Sequence, residues 1–410
     1  MSGASAVPVD WNVRSLAEVS NKIQDGTHFS PSLGGGEYRY ITSRNVGAGR
    51  LRLDSVEMIS ESEHRKIYQR CDTRYGDLLL TKDGANTGNA AINSFREEIS
   101  LLSSVAFIRA DHRVATEEYL LQYLLSVPGR KQVENAMAGN AITRLTLAKI
   151  KALQVPLPHV EEQRRIGSAL LDTDDLIDSL ERLITKKQAI KQGMMQELLT
   201  GRTRLPGFSM PWRTKMLDAV SDIDPETIPA ETSPSQMIDY VSLEDVSRGR
   251  ILASSRVEFS NAPSRARRAV RPLDVLFGTV RPNLQSHALY RGGLRNPVVS
   301  TGFAVIRARS SLADPQFLFY VVMSSLTSSQ VERIIAGSNY PAVSSRDVRM
   351  FEYLLPEIAE QEAIGAALAD AEAELSVLHA RLQKACAVKQ GMMQELLTGR
   401  TRLPVQETVA

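Results

Sequence analysis

Residues 191–206 read KQGMMQELLTGRTRLP, and residues 389–404 repeat the same letters without a change. The copies lie 198 residues apart, from position 191 to position 389, and at this offset the similarity extends back without a gap to Pro158 and Pro356. Self-similarity over this length is typical of chains that contain equivalent structural units. We therefore expect four segments, in the order variable, repeated, variable, repeated.

The repeated segments have the pattern of long helices. Mostly apolar residues recur in each at alternating intervals of four and three, which is a heptad seam. Gly201 and Gly399 suit the left-handed position that ends a helix. Each segment is expected to form one helix of about 40 residues, ~60 Å long. The seam positions are Ile166, Leu170, Thr173, Ile177, Leu180 and Ile184 in the first copy, and Ile364, Leu368, Ala371, Leu375, Leu378 and Leu382 in the second.

A lone helix of this length would expose its apolar seam to water. The simplest arrangement is that the two helices pack on each other as a coiled coil. The alternative is that each helix packs on its own globular domain.

The variable segments, residues 1–157 and 207–355, are less alike but share a framework. Trp11 corresponds to Trp212, YITSRNVGAGRL in the first segment matches YVSLEDVSRGRI in the second, and VAFIRA matches FAVIRA. Short β-like runs with turn signals, followed by a helix, predict a mixed α/β globule in each segment. Similar strands with dissimilar loops indicate one fold with two different binding surfaces.

The repeat also predicts where the two ends of the chain lie. After Pro206 the first copy continues into GFSMPW and enters the second variable segment, whereas the chain itself begins with the similar VPVDW after six residues. We therefore expect the N- and C-terminal ends to lie close together in a cyclic arrangement. A pseudo-two-fold axis would then pass through the helix pair.

Composition excludes several classes of protein. No apolar run reaches the length of a membrane span, and the N-terminus lacks a signal-peptide pattern, so a cytoplasmic protein is expected. Two cysteines and six scattered histidines predict no metal site. The net charge of +2 does not by itself call for nucleic acid, so any DNA binding would depend on local basic patches or on a partner.

Catalytic motifs are also missing from the sequence. It contains no GxxxxGK[ST] phosphate loop and no Asn/Asp-Pro-Pro-aromatic tetrapeptide of the amino-methyltransferase type. Together with the repeated architecture, this favours a binding scaffold without a cofactor over an enzyme. Two alternatives remain open: a coiled-coil adaptor that binds proteins, and a stand-alone DNA-modifying enzyme with an unrecognised active site.

Several features together resemble one family closely. They are the segment order, the run VPLPHVEEQRRI from Val155, and the twice-used KQGMMQELLTG. This combination is similar to the specificity subunits of type I restriction-modification systems. In the first variable segment, DGTHFSP, YITSRNVGAGRL and GDLLLTKDGANTG resemble motifs of the family's target recognition domains. The second segment departs from them, with FGTVRPN where a TKDGANTG-like loop is expected.

The resemblance implies an α+β fold with a pseudo-two-fold internal repeat. Two mixed α/β target recognition domains, residues 1–157 and 207–355, would be separated by two long antiparallel helices forming a coiled coil. Spacer helix 1 would occupy residues 158–206, and spacer helix 2 with a C-terminal tail residues 356–410.

The resemblance also implies a function and partners. Each recognition domain would read one half of a split, asymmetric site in double-stranded DNA, and the helices would set the spacing. The helices would also dock two methyltransferase (M) subunits, with restriction/motor (R) subunits joining through them. The catalytic steps would belong to those partners, so this chain would be a non-catalytic subunit.

Candidate DNA contacts follow from the chemistry of bases and phosphates. Arginine pairs with guanine, and asparagine or glutamine with adenine, while lysine, arginine and small hydroxyls contact phosphate. In the first recognition domain we expect Lys82 and Thr87 to contact phosphate and Asn86 to take either role; an ordinary polar hairpin loop is the alternative. The full set of candidates there is Arg44, Asn45, Thr81, Lys82, Asn86 and Thr87.

In the second recognition domain the candidates fall in two stretches. The loop at the equivalent position holds base-reading residue types, and SRARRAVR is the densest basic stretch in the chain. A basic run tracks a DNA backbone or simply forms a solvated surface. Glu244 and Asp245 hold the places of Arg44 and Asn45, where helix capping is expected instead. The candidates are Thr279, Arg281, Asn283, Gln285, Arg265, Arg267 and Arg268.

The helices offer candidate partner-binding residues. A glycine inside a helix costs about 1 kcal/mol relative to alanine, so its repetition suggests close helix approach. Methionine pairs suit adaptable partner surfaces, and two identical surfaces would bind two identical partners. The alternative is core packing between the two helices alone. The candidates are Gly193, Met194, Met195, Gly391, Met392 and Met393.

Overall fold

The computed structural model describes residues 7–137, 144–229, 231–336 and 341–403. The chain divides into two compact units: the first combines Met1–Glu181 with Ala380–Ala410, and the second is Arg182–His379. Each unit therefore contains one variable segment and a part of both repeated segments. Pro404, the last residue of the second repeat copy, lies outside the described residues.

The first unit contains two layered sheets. One has the strand order β2-β8-β5-β6, all antiparallel, and the other β4-β3-β7, in which β3 and β7 are parallel. A third pair, β1 with β9, joins the start of the variable segment to its end. The elements are β1 (Asn12–Ser15), β2 (Ser20–Asp25), β3 (Tyr38–Ile41), β4 (Glu57–Ile59), α1 (Glu61–Tyr68), β5 (Leu78–Thr81), β6 (Ala90–Ile92), β7 (Ile99–Leu101), β8 (Val105–Ala110), α2 (Glu117–Leu125), α3 (Val127–Met137), α4 (Leu147–Ala152), β9 (Gln154–Leu157) and the long helix α5 (Val160–Leu198), which continues into the second unit.

The second unit repeats this plan. Its sheets have the orders β11-β20-β17-β18 and β15-β12-β19-β16, and β10 pairs with β21 as β1 does with β9. The elements are β10 (Arg213–Met216), β11 (Ser221–Ile223), β12 (Met237–Val241), β13 (Val246–Ser247), β14 (Arg250–Ile251), β15 (Ser255–Glu258), β16 (Ala266–Ala269), β17 (Val275–Gly278), β18 (Ala288–Leu289), β19 (Pro297–Ser300), β20 (Phe303–Ala308), α6 (Pro315–Val322), α7 (Ser325–Ile335), α8 (Ser345–Arg349), β21 (Glu352–Leu355) and the long helix α9 (Ile358–Leu396), which continues into the first unit.

The central strands β5 and β17 each separate two hydrophobic cores. Because side chains alternate along a strand, Leu78 and Leu80 face the core that contains α2, whereas Leu79 faces the core beneath β3 and β7. In the second unit Phe277 and Leu276 face the two equivalent cores. Both strands are buried on both faces, which explains why they read as continuous apolar runs.

The long helices confirm the coiled-coil prediction. Each has 39 residues, and every seam position is buried or half-buried. In the first unit Lys389 Nζ lies 2.5 Å from Asp174 Oδ1. In the second unit Lys191 pairs with Glu372. These two residues occupy the places of Lys389 and Asp174 in the repeat.

The helix parts run antiparallel within each unit. In the second unit Lys187 pairs with Glu374, whereas Lys191, further along α5, pairs with the lower-numbered Glu372. In the first unit Thr173 lies against Met392, whereas Asp174 pairs with the lower-numbered Lys389.

The long helices also pack on the variable segments, so the alternative arrangement occurs as well. Ile166 and Leu170, near the start of α5, share one core with Leu396 and Leu397 at the end of α9 and just beyond it. In the second unit the start of α9 and the end of α5 meet in the same way. Each variable segment is thus joined to both helices.

The predicted glycine contacts are wrong in their position. A Cβ atom at Gly193 or Gly391 would meet no atom within 4 Å, so no other part of the described chain packs closely against these glycines. The close approach occurs instead at Gly167, where a Cβ would lie 2.8 Å from Glu118 Cβ, and at the equivalent Gly365. Gly167 and Gly365 let the long helices lie directly against the start of α2 and α6.

The cyclic prediction is confirmed by contacts between the two ends of the chain. Gly399, with φ +70°, packs against Pro8 and Trp11, as Gly201, with φ +69°, packs against Trp212. Arg402 Nη1 lies 2.8 Å from Asp10 Oδ2. The start of the chain therefore enters its variable segment beside a helix end, as the second variable segment does.

A search of the described residues for membrane-spanning helices finds none long and apolar enough.

Substitution by alanine should change the free energy of unfolding in opposite directions at the two kinds of helical glycine. Gly167→Ala should lower the free energy of unfolding by about 1–3 kcal/mol, because the added carbon overpacks the contact with Glu118. Gly193→Ala should raise it by up to about 1 kcal/mol, because alanine is the better helix former and its Cβ meets open space. Urea unfolding followed by circular dichroism measures both. Stabilisation by Gly167→Ala would contradict a tight contact there.

Candidate nucleic-acid interface

Three loops meet at one edge of the first unit. We call residues 42–50, 82–89 and 102–104 the first loop cluster. The Ser43 amide donates to Ser104 Oγ at 3.3 Å, and Asn86 Nδ2 donates to the Ser43 carbonyl at 3.2 Å. The loops that follow β3 and β5 therefore form one surface.

The second unit has an equivalent surface, residues 242–249, 279–287 and 301–302, which we call the second loop cluster. The Arg248 amide donates to the Gln285 carbonyl at 3.0 Å, and the Thr279 amide donates to the Gly302 carbonyl at 2.8 Å. Arg265 adjoins this cluster, because its carbonyl accepts from the Thr301 amide at 2.8 Å.

Arg44 and Asn45 occupy different environments in the first loop cluster. Arg44 is exposed and lines a polar cleft of about 460 Å³, together with Ser43 and Asp83. Asn45 is buried; its Oδ1 accepts from the Thr42 amide at 2.9 Å, and its Nδ2 donates to the Arg52 carbonyl at 3.3 Å. This corrects the expectation for Asn45, whose amide is used to cap its own turn.

Thr81 and Lys82 are also buried, which corrects both expectations. The side chain of Lys82 is 4% exposed, and its Nζ lies 3.1 Å from Asp25 Oδ2, which is equally buried. Thr81 lies at the end of β5 and is fully buried. Neither side chain reaches a phosphate without unfolding the edge of the sheet.

Asn86 and Thr87 lie in the loop between Gly84 and Gly88, both with φ +88°. Thr87 Oγ1 donates to the Gly84 carbonyl at 2.6 Å, so its proton already has an acceptor and it no longer suits a phosphate contact. Asn86 is half-buried and uses only one of its four hydrogen-bonding positions in the bond to Ser43. Asn86 therefore remains available for a ligand.

In the second loop cluster, Arg281 and Asn283 project to solvent. Both are exposed, and neither side chain forms a hydrogen bond or ion pair with the described residues. Arg281 and Gln285 have φ +48° and +55°, a left-handed conformation that is unfavourable for such residues. Thr279 is buried and donates its hydroxyl to the Gly302 carbonyl, so the expectation that it contacts DNA is corrected.

The three candidate arginines of the basic stretch separate into one free arginine and two engaged ones, and the fourth arginine of the stretch, Arg271, pairs with Glu226. Arg265 is exposed and forms no side-chain contact with the described residues. Arg267 is half-buried, with its guanidinium 5.2 Å from the Phe259 ring centroid. Arg268 pairs with Asp224 at 2.6 Å. Arg268 is therefore not part of a solvated surface. Of the three candidates, Arg265 is the one whose side chain is free to contact a DNA backbone.

Capping in the second unit follows the prediction. Asp245 Oδ2 accepts from the Ser242 amide and hydroxyl, both at 2.8 Å. Asn45 performs the same role with Thr42 in the first unit. The spacing Thr-x-x-Asn is itself a capping signal, and it could have identified Asn45 as structural.

His287 is a structural residue of this region that the sequence analysis missed. Its Nδ1 accepts from the Gly278 amide at 3.0 Å, and its ring stacks on Phe277 with centroids 4.4 Å apart. Burial lowers the pKa of His287 to about 4, so the ring is neutral at physiological pH. The histidine thereby fixes both ends of the 279–287 loop.

The methionine side chains on the helices are less exposed than expected for a docking surface. Met195 is buried in the core of the second unit, and Met194, Met392 and Met393 are partly buried against the cores of their own units. The methionines therefore pack in cores that include residues of the variable segments, and not between the two helices alone. Gly193 and Gly391 remain uncovered.

Comparison with known proteins shows which proteins this chain resembles. The family described as "Type I restriction modification DNA specificity domain" matches residues 8–192. A protein of Methanocaldococcus jannaschii assigned as the MjaX type I restriction enzyme specificity subunit is 22% identical over 419 residues, which covers 97% of this chain and 95% of the relative. The EcoBI specificity subunit of Escherichia coli is 22% identical over 258 residues, covering 61% of this chain and 51% of that protein.

Solved structures show the same fold. The S subunit of a type I restriction-modification system from M. genitalium superimposes with a TM-score of 0.65 at 12% identity, over 95% of this chain and 96% of that one. A chain from a study of complex assembly and conformational transition in a type I R-M system gives a TM-score of 0.50 at 20% identity, over 97% of this chain and 100% of that one.

Lys82→Met should act on stability and not on DNA binding. Removing the lysine leaves Asp25 buried without its nearest cation, which should lower the free energy of unfolding by about 3 kcal/mol. Arg44→Met, at an exposed position in the same cluster, should change stability little. Urea unfolding measures both. A stable Lys82→Met protein that binds DNA more weakly would restore the phosphate role of Lys82.

Proposed function

We propose that this chain is a specificity subunit of a type I restriction-modification system, as its similarity to such proteins indicates, and that it selects the DNA sequence on which a methyltransferase/endonuclease complex acts. Each recognition domain, residues 1–157 and 207–355, reads one half of a bipartite, asymmetric site. The spacer helices, residues 158–206 and 356–410, set the distance between the halves. The protein does this in the cytoplasm and without catalysis of its own.

One observation supports this proposal most directly. The same framework of strands occurs in both units, and at the equivalent edge of each it presents a loop cluster with different exposed polar side chains. Arg44 and Asn86 project from the first cluster, whereas Arg281 and Asn283 project from the second. Since direct readout depends on the identity and placement of such donors and acceptors, one frame with two clusters suits two different half-sites.

In the first loop cluster, Arg44 and Asn86 are the groups that we propose for contact with DNA. Arg44 offers the planar fork of donors that matches guanine, and Asn86 keeps a carbonyl and a second amide proton for adenine. Asn45, Thr81, Lys82 and Thr87 shape the cluster from within, as their internal hydrogen bonds, ion pairing and burial indicate.

In the second loop cluster, we propose that Arg281, Asn283 and Gln285 read bases and that Arg265 contacts phosphate. Left-handed conformations at Arg281 and Gln285 flank the short 3-10 turn Pro282–Leu284, in which Asn283 is exposed. Strained backbone of this kind persists where the surrounding structure imposes it, and it concentrates at binding sites.

DNA affinity must come partly from elsewhere. The chain has a net charge of only +2, and sequence-independent affinity for DNA follows the number of phosphates that a protein neutralises. We propose that two methyltransferase subunits supply the remaining phosphate contacts as well as the methyl transfer. Restriction/motor subunits would join through them.

The docking surface that we propose for each methyltransferase subunit is a short stretch of one helix face, which we call a helix stripe. Ile190 and Gly193 lie three residues apart on α5, and Ile190 is 45% exposed. Val388 and Gly391 occupy the equivalent places on α9, and Val388 is 48% exposed. An exposed apolar side chain beside an open glycine lets a partner backbone approach closely, and its repetition provides two equivalent surfaces for two copies of one partner.

Exchange of one recognition domain tests the split readout. Residues 207–355 are replaced by the matching domain of a family member with a different site, and the chimera is co-expressed with the methyltransferase subunit. Long-read sequencing of genomic methylation should show one half of the site changed and the other retained. The reciprocal exchange of residues 1–157 is the matched control. A change in both halves would contradict independent reading.

Charge placed on the helix stripes tests docking. Ile190→Glu or Val388→Glu should each reduce the copurified complex from two methyltransferase subunits to one, because a buried unpaired carboxylate opposes the interface. The double variant should bind none. Native mass spectrometry gives the stoichiometry. Leu176→Glu, at an exposed apolar position elsewhere on α5, is the control and should retain two; retention of two by all the variants would argue against this surface.

A further inference from the structure

A hairpin in each unit links the reading loops to a long helix. In the first unit residues 46–51 form a hairpin closed by a bridge between Val46 and Leu51. It starts where the turn that carries Arg44 ends, and the Arg52 amide bonds to the Asn45 carbonyl at 2.7 Å. Arg44, which we propose contacts a base, and Arg50, near the tip of the hairpin, therefore belong to one hydrogen-bonded segment.

The tip of this hairpin is attached to α5. Arg50 Nη2 lies 3.2 Å from Glu181 Oε2, and Arg50 Nη1 pairs with Asp178. Beside it, the Gly49 amide donates to the Ala90 carbonyl at 2.8 Å, immediately after the loop that holds Asn86. The hairpin thus connects both parts of the first reading surface with the helix.

The second unit has the same attachment at the equivalent positions. Strands β13 and β14 form the hairpin, and Arg250 Nη2 donates to Ser376 Oγ at 3.1 Å. Ser376 occupies the place of Asp178 in the repeat, 198 residues further on. The Arg248 amide bonds to the Gln285 carbonyl in the reading loop.

Each hairpin contact lies on the same helix as the tight contact at Gly167 or Gly365, which lies eleven positions before Asp178 or Ser376. Between these two contacts in the first unit, Gln122 Nε2 donates to Asp174 Oδ2 at 2.9 Å. Eleven residues of helix span ~17 Å. One contact alone would act as a pivot, whereas two contacts at this separation define the tilt of a recognition domain on its helix.

The exposure of the ion pairs indicates a role in orientation more than in stability. The side chain of Arg50 is 55% exposed, and those of Asp178 and Glu181 are 27% and 47% exposed. Pairs this accessible contribute little to folding because solvent screens them. They still favour one tilt over its neighbours, since both carboxylates lie on one face of α5.

We infer that Arg50 and Arg250 are positioning residues that set how strictly the complex measures the distance between the two half-sites. The inference rests on the proposed function. A tilt that displaces the reading loops by ~3.4 Å moves them by one base pair. Arg50 meets two carboxylates and Arg250 only a hydroxyl, so the first recognition domain is held more firmly than the second.

The test uses the full chain co-expressed with its methyltransferase subunit and a plasmid library in which the two half-sites are constant and the spacer varies. Arg50→Ala should raise methylation at spacers one base pair shorter or longer about fivefold relative to the preferred spacer, as expected for the loss of a surface ion-pair network. The bases read should not change. Asp178→Asn combined with Glu181→Gln should give the same relaxation, although it changes the protein charge in the opposite direction.

Matched variants separate positioning from other roles. Arg65→Ala removes an arginine that pairs with Glu61 and Glu98 inside the first recognition domain, and it should leave the spacer profile unchanged. Ser376→Asp should narrow the profile by giving Arg250 a carboxylate. A uniform loss of methylation at all spacers in Arg50→Ala would overturn the inference, because phosphate binding or general stability produces that result.

Failure of the inference is distinguishable from failure of the proposed function. If the wild-type complex methylates no two-part site, the proposed function is wrong. If it does so and the Arg50 and Asp178/Glu181 variants keep the wild-type spacer profile, only the positioning role is wrong.

Discussion

The structure depends on a buried carboxylate at the start of each long helix and on the arginine that pairs with it. Arg402 donates from Nε and Nη2 to the two oxygens of Glu162, both at 2.7 Å, and the Glu162 side chain is 2% exposed. Arg204 and Glu360 form the same pair in the second unit. These carboxylates raise the pKa of Arg402 and Arg204 above its usual value. Each pair joins the first turn of one long helix to the chain that leaves the other, so each unit contains parts of both helices held together at this point.

The next residue along each helix extends this junction. Gln163 accepts from the Thr116 amide at 3.2 Å and donates to the Val114 and Pro158 carbonyls, and Gln361 bonds equivalent groups in the second unit. A buried glutamine with its amide group fully engaged tolerates little displacement, because each unmade bond would leave a polar group without water. The first turn of each long helix therefore meets its variable segment through the same contacts in both units.

The sequence predicted those features that follow from repetition and periodicity. The heptad seam, the left-handed Gly201 and Gly399, the central strands and the meeting of the chain ends could all be read from it. The contacts of individual polar residues could not. Lys82 and Arg44 are both basic residues in strand-end loops, and only the fold shows that one faces Asp25 in the interior and the other faces solvent. Residue type gives chemistry, whereas accessibility depends on neighbours that are distant in sequence.

The same distinction explains how one framework supports two surfaces. The residues that join the variable segments to the helices are the same in both units, because each contact accepts only one residue type. They are the arginine and glutamate of the ion pair, the glutamine that follows the glutamate, and the glycine four residues after it. The loop clusters share a capped turn and a closed hairpin, and Asn45 or Asp245 satisfies the first requirement equally well. Exposed positions of the clusters, such as Arg44 and Asn283, are not held by such contacts. The loops can therefore diverge in sequence while the geometry that presents them stays constant.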